Sequence, residues 1–135
     1  MKYTSQTIGL TALVFAGTLA TAAPTSAVQR NVLYTAPLTS VPGETLTAVV
    51  LDVAPGAKSS AKHHHAGTVL VYVISGAVRV QFEGGAPKLY QTGQYFTEPP
   101  GTEHLSTENV SAAAPAKLLA VFVAGTGAKL TTYDK

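Results

Sequence analysis

The sequence predicts an all-β domain, a small barrel or jelly roll, on three observations. After the first two dozen residues no stretch places apolar side chains at helical spacing over three turns. Runs rich in Val, Leu, Ile, Thr and Tyr recur instead every eight to twelve residues. Turn signals separate them: Pro55-Gly56, Ser75-Gly76, Gly84-Gly85 and Pro99-Pro100-Gly101. Folds of this kind close or double their sheets and can leave a cavity inside.

The elements follow in chain order. Lys2 precedes the apolar run Ile8 to Ala20, and the small residues Ala20-Thr21-Ala22-Ala23 end it. That pattern describes a secretory signal peptide, so residues 1–22 are expected to be removed on export to a periplasm or the exterior, with a cut after Ala27 as the alternative. Gly9, Thr11, Gly17 and Thr18 dilute the run below the ~20 apolar residues that a spanning helix needs. Residues 23–43 carry Pro24, Pro37, Pro42 and Gly43 around one strand-like piece, Asn31 to Thr35, and read as an N-terminal arm. The domain proper spans 44–124. Its expected strands are Thr45 to Val53, Lys58 to His65, Thr68 to Ile74, Ala77 to Phe82, Lys88 to Tyr90, Tyr95 to Thr97, His104 to Thr107 and Lys117 to Ala124. Residues 125–135 have little pattern and read as a tail.

Composition bounds the function. A chain of 135 residues with 46% hydrophobic and 12% charged content suits one packed domain. Its net charge of +2 comes from scattered basic residues, which argues against nucleic acid as a partner. The absence of cysteine excludes disulfides, thiolate nucleophiles and cysteine-ligated metals.

Chemistry concentrates in four histidines. Three are consecutive, His63, His64 and His65; the fourth, His104, ends the segment that begins at Gly93 and passes through the Pro99-Pro100-Gly101 bend, with Asn109 following. On an extended strand alternate side chains share a face, so His63 and His65 point one way and His64 the other. Carried forward, that parity turns Val69 and Val71 inward and Tyr72 outward. A triplet and a distant fourth histidine suggest a metal.

The spacing of Gly56, His63, His65 and Gly76, followed by Gly93, Pro99, Gly101, His104 and Asn109, resembles the two motifs of the cupins, whose fold is a double-stranded β-helix or jelly-roll barrel. The resemblance covers roughly residues 44 to 124 and implies that His63, His65 and His104 bind one divalent transition metal, which could be iron, manganese, nickel, copper or zinc. Two departures stand out. Gly56 to His63 is one residue longer than the usual first motif, so His64 with another residue is the alternative inward pair. Val69 occupies the position where many cupins place a glutamate ligand.

A carboxylate must then come from elsewhere, or the site works with three neutral imidazoles. Glu98 is the candidate, as fourth ligand or as a base near the metal, because an acid inside an apolar strand needs a reason to be there. Cupins resembling diketone-cleaving dioxygenases combine three histidine ligands with such a carboxylate. The resemblance implies a dioxygenase acting on a small enolate or phenolic substrate. A zinc-type lyase or isomerase and a non-catalytic binding protein for a small ligand or metal are the alternatives. Arg79 alternates with Val78 and Val80 and is expected to face solvent. An outer face carrying Tyr72 and Ile74 would suit a homodimer.

Overall fold

The computed structural model describes residues 27–59 and 61–134; the expected signal segment, 1–22, lies outside the described residues. The strands are β1 (Val28–Pro37), β2 (Glu44–Val53), β3 (Lys58–Ser59), β4 (His63–His65), β5 (Thr68–Ser75), β6 (Ala77–Phe82), β7 (Lys88–Gln91), β8 (Tyr95–Glu98), β9 (His104–Asn109), β10 (Ala116–Gly125) and β11 (Thr131–Tyr133). The described residues contain no helix. One antiparallel sheet runs β1-β2-β10-β5-β8. The second runs β11-β4-β9-β6-β7, with β3 also paired to β9.

Period-2 alternation builds the core between the sheets. On β5, Val69, Val71 and Val73 are buried while Leu70, Tyr72 and Ile74 are exposed, as the parity argument predicts. On β10 the buried set is Ala116, Leu118, Ala120, Phe122 and Ala124. Val78 and Val80 of β6 and Phe96 of β8 complete the apolar layer. Gly67 makes the join between β4 and β5 possible: a Cβ there would sit 2.0 Å from the Val123 carbonyl of β10, so no larger residue fits without parting the strands.

Two segments differ from expectation. The stretch read as an arm carries a ten-residue strand, β1, paired with β2 over its whole length, with a bulge between Val32 and Tyr34. The stretch read as a tail carries β11, whose Thr131, Thr132 and Tyr133 pair with His65, His64 and His63. β1 forms a hairpin with the next strand, β2, and runs past the expected Asn31 to Thr35 at both ends; β11 pairs with a strand distant in sequence and has no apolar alternation of its own to betray it.

Two local devices fix the histidine segment. Pro99 to Thr102 form a tight turn closed by the Thr102 N–H donating to the Pro99 carbonyl at 3.1 Å. Pro100 presets the first corner, and Gly101, at φ 74°, adopts the left-handed conformation the second corner needs. The Gly101 N–H donates to the His65 carbonyl at 2.9 Å, which ties the bend to β4. At the far end of β9, Asn109 is 1% exposed, and its amide donates to the carbonyls of Val53, Ala54 and Ala114. Its Oδ1 accepts from the Ser111 N–H at 3.0 Å. Asn109 thus staples the ends of β2, β9 and the loop before β10.

Asn109→Ala should leave the Ala114 carbonyl and the Ser111 N–H without their side-chain partner and lower stability by about 2 kcal/mol or more, since each buried unpaired group costs about 1–3 kcal/mol. For a domain of this size the melting temperature should drop by ~10 °C or more. A thermal melt unchanged within ~2 °C would show that the staple contributes nothing.

Candidate metal centre

The site is assembled where the two sheets face each other. His63 and His65, alternate residues of β4, turn inward, with His65 only 7% exposed. His64 turns outward, toward Glu103 at 3.9 Å and Asp134 at 3.7 Å, so the alternative inward pair does not form. His104, the first residue of β9, is paired directly with His63, and their rings stack with centroids 4.7 Å apart. One ring nitrogen from each of His63, His65 and His104 lies within 4.8 Å of the others.

Glu98 arrives from the opposite sheet. As the last residue of β8 it is the cross-strand partner of Val69, on the same inward face. The carboxylate that Val69 cannot supply is therefore carried one strand over. Glu98 is 2% exposed, and its Oε2 lies 3.1 Å from Nδ1 of His104 and 3.5 Å from Nε2 of His65. The structure thus brings His63, His65, His104 and Glu98 together.

The donor set fits a divalent cation. Nδ1 of His63 lies 2.9 Å from the Ala61 carbonyl, and Nδ1 of His65 lies 3.0 Å from the Leu130 carbonyl. A carbonyl only accepts, so both imidazoles carry their proton on Nδ1 and keep a lone pair on Nε2. His104 is flanked by two acceptors, the Glu98 carboxylate at Nδ1 and the Ser106 carbonyl at Nε2, 3.1 Å away, while a neutral imidazole has one N–H to offer. Lone pairs and a carboxylate converging in a dry place repel unless a cation sits among them. Three imidazoles suit iron, copper, nickel or zinc and do not discriminate among them.

A cavity of about 220 Å³ opens beside the histidines. Its wall is mostly aliphatic, with Val49, Leu51, Val69, Val71, Leu118 and Phe122 among its members. The rings of Phe122 and Phe82 pack 5.2 Å from His65 and 5.0 Å from His104, which fixes the imidazole planes. The sequence reading missed several polar lining residues: Arg30, Ser59, Thr107, Thr131 and Tyr133. Thr107 Oγ1 lies 2.8 Å from Nε2 of His104; strand parity would put a residue three positions on at the opposite face, and the register shift of β9 against β6 between His104 and Ser106 hides this contact from the sequence. Arg30 stands on β1, just before the strand-like piece expected at Asn31 to Thr35, and Tyr133 stands on β11, which the sequence does not announce. Arg79 faces solvent as expected, bonded to Glu108 at 2.9 Å.

Burial makes the imidazolium form of His63 unfavourable and lowers its pKa below 6.5; the nearby His104 and His65 act in the same direction, while the Ala61 carbonyl and Glu98 oppose it. Below pH 6.5 the unfolded chain therefore binds a proton at this position that the folded one does not, and stability falls as pH drops through that window. Chemical denaturation of metal-free protein between about pH 7 and about pH 5 should show this loss, and His63→Gln should make it shallower. An identical slope in the variant would assign the acid sensitivity to other groups.

The cupin domain family model matches residues 49–122, which is 74 of the 135 residues. No curated protein matches the chain. Among solved structures, an uncharacterized conserved protein with a double-stranded β-helix domain from Klebsiella pneumoniae is 22% identical at a TM-score of 0.64, over 83% of this chain and 88% of that one. A RmlC-like cupin from Shewanella frigidimarina is 23% identical at 0.58, over 75% and 79%. The oxalate decarboxylase of Bacillus subtilis is 27% identical at 0.54, over 65% of this chain and 23% of that one. The matched span runs from the middle of β2 through β10 and contains the whole histidine and glutamate constellation, and the chain belongs to the cupin family.

Proposed function

We propose that the chain is a metal-dependent cupin enzyme, a dioxygenase acting on a small enolate or phenolate, with His63, His65 and His104 as ligands and Glu98 as the proton acceptor. The observation that carries this is the buried Glu98 carboxylate, 3.1 Å and 3.5 Å from ring nitrogens of His104 and His65. A divalent ion held there would supply Lewis acidity toward a substrate oxyanion and a meeting place for dioxygen. Everything else falls to the protein. The valine wall excludes water, which strengthens the pull on an oxyanion. Glu98 takes the proton that an enolisable C–H or a phenolic O–H must lose for that oxyanion to form.

An oxygen-independent lyase or isomerase is the second reading. It is favoured because proton transfer by Glu98 needs no oxidant, and because a decarboxylase stands among the similar structures. Export of the mature chain, with residues 1–22 removed, is part of the same proposal and rests on the leader-like composition of that segment. N-terminal sequencing of protein recovered from outside the cytoplasm checks it.

Iron-, copper- or nickel-loaded protein should consume oxygen with flavonols or β-diketones. Turnover that persists without oxygen would replace the first reading with the second, and tight binding without turnover in either atmosphere would make the chain a binding protein. Glu98→Gln should retain its metal by elemental analysis while turnover falls ~10²–10⁴-fold, the usual contribution of a positioned base. Loss of metal in that variant would make Glu98 a ligand instead.

A further inference from the structure

Arg30 occupies an unusual place. On β1 it shares its inward face with Val28 and Val32, and these three pair with Leu51, Val53 and Val49 of β2, all of which line the cavity. It is the cavity's one lining cation among the described residues. Away from the cavity, the other basic side chains with ionic partners meet acids: Arg79 with Glu108, and Lys117 with Asp52. Arg30 has instead a neutral one, donating from Nη2 to Tyr133 Oη at 3.2 Å, and no carboxylate pairs with it among the described residues. A guanidinium carries five N–H donors in a planar fork suited to a carboxylate, and this bond uses one.

Tyr133 also relates the mouth of the cavity to its reacting end. Its ring centroid is 5.4 Å from that of His63, while its hydroxyl meets Arg30, so the guanidinium stands about one tyrosine's length from the histidines. Between the two lie aliphatic walls enclosing about 220 Å³, room for roughly seven water-sized groups at about 30 Å³ each. A divalent ion on neutral imidazoles would be offset only by Glu98, and Arg30 adds a second positive centre.

We propose that Arg30, held by Tyr133, binds a carboxylate of the substrate, so that the substrate is a short acid with an apolar body, its oxyanion-forming group at the histidines and its carboxylate at the cavity mouth. This rests on the reading of the histidines and Glu98 as the reacting end. It narrows the substrate class from any small enolate or phenolate to those that carry a terminal acid.

The test uses zinc-loaded protein, in which the redox-inert ion removes oxygen-dependent turnover, and a matched pair of probes, 4-hydroxyphenylacetate and its neutral amide, titrated by calorimetry. Wild type should prefer the acid by roughly tenfold or more, the worth of a charge-assisted hydrogen bond. Arg30→Met should bring the ratio within about twofold while zinc affinity and amide affinity stay as they were, Arg30→Lys should restore part of it, and Tyr133→Phe should fall between. A full preference surviving in Arg30→Met, or equal binding of acid and amide by wild type, overturns the assignment of Arg30 and leaves the metal reading intact. Failure of wild type to take up zinc, or zinc and probe affinities unmoved by His104→Ala, sinks the metal reading and this proposal with it. Zinc uptake with neither probe bound overturns the substrate class.

Discussion

The Glu98 carboxylate lies against imidazole nitrogens of two histidines in an interior walled by valine and phenylalanine, at 2% exposure. An ionised acid in such a place is strongly disfavoured unless positive charge or several donors surround it. The histidines offer few donors, because His63 and His65 have already committed their N–H groups to backbone carbonyls. Much of the surrounding architecture keeps this group in position. The Pro99-Pro100-Gly101 turn carries the chain from one sheet to the other within six residues, so that Glu98 and His104, neighbours in sequence, meet face to face across the sandwich. The Gly101 bond to His65 sets the height of that bend, and Asn109 anchors the far end of the strand that presents His104.

The substitution of valine at position 69 gains meaning from the register. Val69 and Glu98 are directly opposed on β5 and β8, with side chains on the same face a few ångströms apart. A carboxylate transferred across that pair remains inside the barrel but approaches the histidines from the second motif's strand, next to His104, whose Nδ1 it meets. The same transfer leaves an aliphatic surface at Val69, continuous with Val71, as the floor of the cavity.

How far the sequence revealed this can be argued residue by residue. The inward parity of His63, His65, Val69 and Val71 was legible because period-2 alternation is a property of any extended strand, and alternate burial keeps its phase through the Ala66-Gly67 bend where the chain passes from one sheet to the other. The tight turn at Gly101 was legible from its Pro-Pro-Gly composition. The role of Asn109 was not, since a buried amide joining three backbone carbonyls is a product of loops meeting in space. Strand β11 was hidden for a related reason: Thr131, Thr132 and Tyr133 are ordered by pairing with the histidine strand, and their own pattern is polar. Arg30 escaped notice because the strand was expected to start at Asn31, which left the arginine outside any alternation.

The division between legible and hidden residues follows a division of labour. The histidines and Glu98 stand on β4, β8 and β9, which the motifs announce, whereas Arg30 and Tyr133 stand on β1 and β11, which like β8 are terminal strands of their sheets. Arg30 and Tyr133 are exposed, while His65, His104 and Glu98 are buried and mutually dependent. A change at the mouth can therefore alter which ligand end is accepted without moving a histidine, whereas a change at Glu98 alters the charge that the whole interior is built to hold. The two groups of residues differ in burial rather than in strand position: Arg30 and Tyr133 stand in reach of solvent, whereas His65, His104 and Glu98 hold one another in the interior.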